Sequence, residues 1–226
     1  MWGAPPPDGA TIWRYFSLPK LLHTLQKKSL FFPSVSMLED PWEGHWTEDE
    51  FQNVIATFKK LPDFDLDWAN VIREVNKKST FVSCWHQSDH ESAAMWTTYG
   101  TEGIGVKSTV GALKSAFEVE ERPIGIAVVR YTDQLPDVPP LTQAVFRKRP
   151  SFEHEHEIRA VCFDSSAQED GIHVRVELEK LVQGIYVSPR APLWLRAVLR
   201  EVLETELKRD GLQRVPVALS SLYDPL

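Results

Sequence analysis

The chain has 226 residues, of which 42% are hydrophobic, and its 25 Lys and Arg against 32 Asp and Glu give a formal net charge of −7. This length and apolar content predict a single domain with a well-developed core over residues 11–226, preceded by a Pro-rich, flexible lead over residues 1–10. The negative charge and the lack of a basic block argue against general nucleic-acid binding, and no apolar run approaches the length needed to cross a membrane.

Hydrophobic periodicity and turn residues divide the chain into short strands and helices. Strands are predicted at residues 11–16, 30–32, 80–85, 103–107, 124–131, 152–163, 173–178, 184–188 and 215–219. Helices are predicted at residues 17–28, 48–60, 66–78, 91–99, 109–117, 141–148 and 192–210. Because strands and helices are intermixed without strict βαβ order, we predict an α+β fold with a mixed, largely antiparallel sheet and flanking helices.

The most unusual of these strands is acidic, and it begins Phe-Glu-His-Glu-His-Glu-Ile-Arg at residue 152. In a strand, side chains alternate between faces, so Glu153, Glu155, Glu157 and Arg159 would share one face. Carboxylates about 6–7 Å apart repel each other, so an arginine, a metal or a substrate should lie opposite, and Arg159 should pair with one of the glutamates. The alternative is a solvent-facing edge strand whose charges discourage aggregation. Residues 173–178 are the predicted hairpin partner.

Two polar-aromatic segments are further candidates for a binding site. Pro41 stiffens a loop that could present Asp40, Trp42 and Glu43 to a ligand, although an Asp-Pro turn is the simpler interpretation. Trp96 and Tyr99 are neighbours on a predicted helix and could line a cleft, although such pairs more often lie in a core.

Histidines and cysteines offer weaker signals. His86, His90, His154 and His156 invite a zinc interpretation, but the polar segment after His86 need not be helical, and no metal is expected. The two cysteines lie in apolar runs and are expected to be buried thiols rather than a disulfide. No secretory signal pattern is present, so a cytoplasmic location is expected. Gly-rich phosphate loops, Gly-x-Ser-x-Gly and Cys-x-x-Cys are absent from the sequence.

Several of these segments occur together in a recognisable order. They cover residues 12–17, 30–34, 40–44, 82–85, 95–99, 103–106 and 152–159. This order resembles the bacterial family called domain of unknown function 2971 over about residues 12–203. The chain departs from that family at Glu39, where Asn is expected, at the aromatic Trp42, and at His154, where Tyr is expected. The family name implies no activity.

The chain is also similar, more loosely, to ADP-ribosyltransferases. That resemblance implies that Arg14 holds the diphosphate or ribose of NAD, that Glu157 is the catalytic glutamate, and that Glu155 orients the acceptor, with Glu153 and Glu155 as an alternative register. The implied nicotinamide pocket consists of Tyr15, Phe32 and Ser34. We expect the same pocket to be completed by a rim of Asp40, Trp42 and Glu43 and by the rings of Trp96 and Tyr99.

The leading hypothesis is therefore an NAD-binding protein with ADP-ribosyltransferase or NAD glycohydrolase activity, acting on an acceptor that the sequence does not identify. Cleavage of the nicotinamide–ribose bond develops an oxocarbenium-like cation, which a carboxylate can stabilise. One alternative is a non-catalytic protein-interaction module that uses the acidic strand. The other is a metal-dependent hydrolase or nuclease that uses the His and Glu residues.

Overall fold

The computed structural model describes residues 6–59, 75–132, 144–167, 169–209 and 211–223. The predicted helix over residues 66–78 is helical at residues 75–79, and its remaining part lies outside the described residues. No helix in the described ranges is long and apolar enough to cross a membrane.

Most strands and helices are short, and the longest helix is the last one. The strands are β1 (Thr11–Ser17), β2 (Ser29–Pro33), β3 (Thr80–Gln87), β4 (Gly103–Thr109), β5 (Ile124–Val128), β6 (Arg130–Tyr131), β7 (Arg147–Lys148), β8 (Glu157–Phe163), β9 (Gly171–Arg175), β10 (Gly184–Val187) and β11 (Val217–Leu219). The α-helices are α1 (Leu18–Lys27), α2 (Glu48–Phe58), α3 (Ala93–Tyr99), α4 (Val110–Ala116), α5 (Leu178–Leu181) and α6 (Leu193–Arg209). Short 3-10 helices span Val35–Met37, Phe117–Val119, Ala144–Phe146 and Pro150–Glu155.

The main sheet has seven strands in the order β11-β10-β4-β1-β3-β8-β5. The pairs β1–β3, β1–β4, β4–β10 and β5–β8 are antiparallel, whereas β10–β11 is parallel. Two further sheets of two strands each pair β2 with β9 and β6 with β7. The predicted α+β class with a mixed, largely antiparallel sheet and helices is confirmed.

The chain divides into two compact units, each built from separate segments of the sequence. The first consists of Met1–Pro5, Phe31–Cys84 and Arg122–Ile172. The second consists of Pro6–Leu30, Trp85–Glu121 and His173–Leu226. The boundary between the two units falls within strand β3, between Cys84 and Trp85.

The core of the first unit surrounds strand β8. Residues 158–162 of this strand are all buried, and because successive side chains point to opposite faces, both faces of β8 are covered. One apolar cluster consists of Val35, Val82, Ala127, Val145, Phe146 and Val161. Helix α2 begins with a capping box in which Thr47 and Glu50 bond each other's backbone N–H groups, and it contributes Phe51 and Ile55 to a second apolar cluster.

The second unit contains an aromatic cluster, which we define as Trp13, Tyr15, Trp96, Tyr99 and Tyr186. Trp13 and Tyr15 lie two residues apart on β1 and contribute to the same cluster, to which α3 adds Trp96. Helix α3 begins after its N-cap Ser92, whose side chain accepts a hydrogen bond from the Met95 N–H. Gly105 on β4 leaves room for the indole, because a Cβ there would lie 3.1 Å from Trp96 Cη2. Helix α6 buries Leu199, Leu203 and Leu207, a stripe at the helical repeat.

The prediction of one continuous strand over residues 152–163 is wrong. Pro150 opens a 3-10 helix that ends at Glu155, and His156 adopts the left-handed conformation (φ 42°) before β8 begins at Glu157. Pro fixes its own φ near the helical value, and Pro150–Glu155 has no fully buried side chain that would hold it in a sheet. Glu153, Glu155 and Glu157 therefore do not share a strand face.

Two smaller predictions are also corrected. Residues 141–148 were expected to be helical, but the described part is a 3-10 turn over Ala144–Phe146 followed by strand β7. Strand β9 lies in the region predicted as the hairpin partner of the acidic strand, yet it pairs with β2. The pairing of β2 with β9 joins segments more than 100 residues apart, which local periodicity cannot indicate.

Candidate active site

Strand β8 places Glu157 and Arg159 on one face, two residues apart. Arg159 is fully buried, and its Nε and Nη2 lie 2.8 Å and 2.7 Å from Glu157 Oε2. Its Nη1 donates to the Val145 carbonyl at 2.7 Å, and its Nη2 also donates to the Glu43 carboxylate. The predicted pairing of Arg159 with a glutamate of this segment is confirmed, and Glu43 from the Asp-Pro loop completes its surroundings.

A second cation, Lys148, approaches the same carboxylates from β7. Its ammonium bonds the Glu155 carboxylate and lies 3.5 Å from Glu157 Oε1 and 3.4 Å from Glu43 Oε1. The side chain of Lys148 is only 6% exposed. We call Glu43, Lys148, Glu155, Glu157 and Arg159 the ionic cluster. Within this cluster, Lys148 and Arg159 supply the positive charge that the three neighbouring glutamates require.

Glu155 and Glu157 have pKa values displaced in opposite directions. Burial raises the pKa of Glu157, but the charges of Arg159 and Lys148 outweigh it, and the net shift is downward. For Glu155, burial and the nearby charge of Glu157 outweigh the hydrogen bond from Lys148, and its pKa is raised. Two interacting carboxyl groups titrate as a pair, and here the first proton is held on the Glu155 side. The cluster thus keeps one firmly ionised carboxylate beside one more basic carboxylate.

Three further ionisable groups near the pair, Lys148, Tyr131 and Cys84, each keep a single charge state near neutral pH. Burial lowers the pKa of Lys148, but Glu157, Glu155 and Glu43 together raise it above its ordinary value. Burial raises the pKa of Tyr131, whose hydroxyl accepts the Glu157 backbone N–H at 2.7 Å, to about 12. Burial and the charge of Glu157 likewise raise the pKa of the Cys84 thiol to about 12, so Cys84 is not a thiolate nucleophile.

The cations on either side of Lys148 are also paired with carboxylates. Arg147 forms a two-point contact with Glu50, at 2.6 Å and 3.0 Å. Arg149 forms another with Asp40, with Nε–Oδ2 at 3.2 Å and Nη2–Oδ1 at 3.0 Å. Sequence analysis did not identify the short basic run Arg147-Lys148-Arg149 as part of a site. Its position directly before the acidic segment was the signal that could have identified it.

The Asp-Pro loop contributes residues with contrasting exposure. Asp40 and Glu43 are buried and form ion pairs, whereas Trp42 is 55% exposed. The Trp42 backbone N–H donates to Asp40 Oδ1 at 3.1 Å, which is the Asx turn that the Asp-Pro sequence predicts. The loop therefore holds carboxylates inward and presents one aromatic ring to solvent.

The remaining predicted residues of the first unit, Phe32 and Ser34, are buried. Ser34 Oγ donates to the Lys77 carbonyl at 3.0 Å and accepts the Ser36 N–H at 3.2 Å. These contacts give Ser34 a structural role, and the role of both residues in a nicotinamide pocket stays a prediction.

The predicted residues of the second unit belong to β1 and α3. The Arg14 guanidinium lies 5.1 Å from the Phe16 ring centroid and 5.8 Å from that of Trp85. The Tyr15 ring is 4.9 Å from Trp96 and 5.9 Å from Tyr99. Their parts in binding a cofactor stay predictions.

The hydrogen bonds of these rings are made inside the second unit. Tyr15 Oη accepts the Ser92 N–H at 3.0 Å, and burial raises the pKa of its hydroxyl to about 12. Trp96 is fully buried, and its Nε1 donates to Glu91 at 2.9 Å. Trp96 is thus a core residue whose polar atom is satisfied.

The four candidate histidines differ in exposure. His86 is buried on β3, His90 is exposed in the turn that follows, and His154 and His156 are exposed. Within the described part of the chain, no group of three or more His, Cys, Asp or Glu is arranged to hold a metal ion. Both cysteines are free thiols, as predicted.

Comparisons with known proteins gave matches among solved structures alone. No protein-family model matches the chain, that of domain of unknown function 2971 included. No curated protein matches it either.

The solved structures similar to this chain include three of DarT from Thermus sp. 2.9. The complex with NAD+ is 10% identical with a TM-score of 0.43, covering 95% of this chain and 96% of that one. The complex with carba-NAD+ is 8% identical with a TM-score of 0.44, covering 95% and 97%. The complex with ADP-ribosylated single-stranded DNA is 11% identical with a TM-score of 0.43, covering 96% of each chain. At these identities and TM-scores, the similarity carries no argument about the site.

Proposed function

We propose that this chain binds NAD and catalyses ADP-ribosyl transfer or NAD glycohydrolysis, with Glu157 as the carboxylate that stabilises the transition state. The observation that carries the proposal is the placement of two neighbouring carboxylates, Glu155 and Glu157, against Lys148 and Arg159 in one largely buried ionic cluster, and the opposite displacement of their pKa values agrees with it. Neighbouring titratable groups whose pKa values are driven apart are typical of acid–base sites.

The proposed chemistry needs one permanent negative charge. When the bond between ribose C1′ and the nicotinamide nitrogen breaks, the electron pair leaves with neutral nicotinamide and the ribose becomes oxocarbenium-like. Glu157, held ionised by Arg159 and Lys148, supplies the opposing charge from a site where its side chain is 12% exposed. A charge fixed in a partly dehydrated site stabilises a developing cation more strongly than a hydrated one would.

The second step needs a base. Water or another acceptor attacks C1′ and must lose a proton, which a carboxylate of raised pKa can accept. Glu155 meets this requirement, and its side chain is more exposed than that of Glu157, at 23%. Glu155 therefore takes the role of orienting and deprotonating the acceptor.

The acidic interaction module is less well supported, because it requires carboxylates that face a partner protein. Glu153 is exposed, but Glu155 and Glu157 direct their charges at Lys148 and Arg159. With side chains only 23% and 12% exposed, Glu155 and Glu157 offer a partner protein little contact surface.

The wider NAD site forms part of the proposal. Resemblance to ADP-ribosyltransferases assigns Arg14 to the NAD diphosphate or ribose and Tyr15, Phe32 and Ser34 to nicotinamide. The Asp-Pro loop residues Asp40, Trp42 and Glu43, with Tyr99, are proposed to complete it, and the buried Trp96 is proposed to support the ring of Tyr15 from the core. Arg14→Ala tests this part first, with a raised KM for NAD as the expected result.

The central test incubates purified protein with NAD and follows free nicotinamide. We expect Glu157→Gln to lower kcat about 10²–10³-fold, since it removes one well-placed electrostatic contact. Glu153→Gln is the matched control, because it makes the same change at an exposed neighbour and should leave kcat within about twofold. Both variants are checked for folding by urea unfolding.

Two outcomes would count against the proposal. If the wild-type protein releases no nicotinamide and NAD produces no thermal shift, the proposed function is wrong. Release that survives Glu157→Gln but is lost in Glu155→Gln would keep the activity and reverse the roles of the two glutamates.

A further inference from the structure

We propose that Lys148 is the positioning residue that sets the pH at which Glu155 loses its proton, and so sets the lower pH limit of the reaction. The claim about the pH limit of the reaction rests on the proposed function, whereas the claim about the proton of Glu155 does not. The latter concerns charge and geometry inside the ionic cluster, which can be measured without NAD.

The geometry distinguishes Lys148 from the other cation. Arg159 contacts Glu157 and Glu43 and is anchored by the Val145 carbonyl. Lys148 bonds Glu155 and also lies 3.5 Å from Glu157 Oε1 and 3.4 Å from Glu43 Oε1. Lys148 is thus the cation shared by all three glutamates of the cluster. A lysine ammonium is a compact point charge, so it can serve three acceptors without a fixed planar geometry.

The position of the ammonium is restricted from a further side. Its Nζ lies 4.9 Å from the centroid of the Phe152 ring, which belongs to the same 3-10 helix as Glu155. A ring face attracts a cation, so Phe152 favours retention of the charge at this point. The Lys148 side chain is only 6% exposed. If a substitution removes its charge, water can therefore do little to stabilise the neighbouring carboxylates in its place.

The surrounding charges predict the direction of the effect. The ionisable groups that face Glu155 and Glu157 include Lys148 from β7, Arg159 from β8, Glu43 from the Asp-Pro loop, Tyr131 from β6 and Cys84 from β3. Tyr131 and Cys84 are neutral near pH 7, so two cations face three carboxylates. Without Lys148, one cation faces three carboxylates, and proton uptake by Glu155 becomes more favourable.

The consequence for the reaction follows from the role of Glu155. The glutamate must be ionised to accept a proton from the acceptor, so the rate falls at a pH below its pKa. If Lys148 holds that pKa down against burial and Glu157, the enzyme keeps its base at a lower pH than the cluster would otherwise permit.

The first measurement follows the Glu155 side-chain carboxyl by ¹³C NMR from pH 4 to 9, with the signal assigned from Glu155→Gln. Lys148→Met should raise the midpoint by about one unit or more, a tenfold change in proton affinity. Lys148→Arg restores the charge and should bring the midpoint back toward the wild-type value. Lys114→Met, at a partly exposed lysine paired with Asp8 in the second unit, is the control and should leave it unchanged.

The second measurement is the pH profile of nicotinamide release. Its lower limb should move to higher pH in Lys148→Met, by the same amount as the NMR midpoint, and return in Lys148→Arg. If Lys148→Met does not fold, Lys148→Gln is measured in its place, because it keeps a hydrogen-bond donor to the carboxylates without the charge.

Each outcome separates this inference from the proposed function. An unchanged Glu155 midpoint in the folded variant overturns the inference, whether or not NAD is consumed. A moved midpoint with an unmoved rate profile overturns the link between Lys148 and the reaction. A moved midpoint in a protein that never releases nicotinamide refutes the proposed function and supports the assignment of Lys148.

Discussion

The ionic cluster of the first unit and the aromatic cluster of the second solve the problem of burial in opposite ways. The ionic cluster removes charged groups from water and compensates each with oppositely charged partners. The aromatic cluster removes apolar area from water and needs partners for few atoms, such as Tyr15 Oη and Trp96 Nε1. The free energy of desolvation opposes the first arrangement and drives the second.

This contrast bears on function. Aromatic burial stabilises a fold in proportion to area, so it requires no further explanation. A buried ion cluster contributes little net stability, and an apolar replacement of similar volume is often as stable. The retention of five ionised or ionisable side chains in one core is therefore better explained by chemistry than by stability, and the following experiments sharpen that distinction.

The largest stability effect should come from Arg159→Met. It leaves Glu43 and Glu157 buried without their main cation, which typically costs about 3–5 kcal/mol of unfolding free energy. Urea unfolding near pH 7 measures it. Replacing Glu157 by Leu in the same chain should recover part of the loss, because one of the two uncompensated charges is removed. A small effect of Arg159→Met would contradict the description of this cluster as tightly coupled.

Glu157→Gln should show a smaller, pH-dependent loss of stability. Hydrogen bonds to charged groups are typically worth about 1.5–3 kcal/mol. The pKa of Glu157 is lowered on folding, so its stabilising contribution is present above the ordinary glutamate pKa and disappears as pH falls through the lowered value. The difference between wild type and variant should therefore be greatest near neutral pH and shrink below about pH 4.

Unfolding measured from pH 3 to 7 tests this dependence. Glu153→Gln is the control, and its difference from wild type should stay near zero throughout. A Glu157→Gln difference that does not change with pH would show that Glu157 is not held ionised by its neighbours.

The smallest effect should come from Tyr15→Phe in the aromatic cluster. The ring stack is retained, and the loss is one hydrogen bond from the Ser92 N–H, worth about 0.5–1.5 kcal/mol. Thermal unfolding measures it. The effect should not vary between pH 4 and 9, because the Tyr15 pKa is about 12. A loss as large as that of Arg159→Met would remove the contrast between the two clusters.

The sequence predicted features that depend on nearby residues. The strand at β1, the helix at α6 and the turn at Asp40 were all predicted from patterns shorter than 20 residues. The pairing of Arg159 with a glutamate was also predicted, because residues two apart share a strand face. Of the three glutamates of the acidic segment, the partner of Arg159 is Glu157.

Features that depend on tertiary contacts were not predicted. Lys148 lies beside Glu155 because of a 3-10 helix whose register the two-residue alternation cannot represent. His156 has a positive φ without being Gly, so no composition signal marks the break between that helix and β8. Glu43 pairs with Arg159 although the two residues are far apart in the sequence, and no local pattern indicates such a contact.

The span between Glu43 and Arg159 also has a kinetic consequence. The two residues are 116 positions apart, so their ion pair closes a long loop and cannot form from local structure alone. Until the loop closes, both side chains remain hydrated and gain nothing from each other. We therefore expect the cluster to be unformed in the folding transition state, so that its mutations accelerate unfolding and leave the refolding rate nearly unchanged.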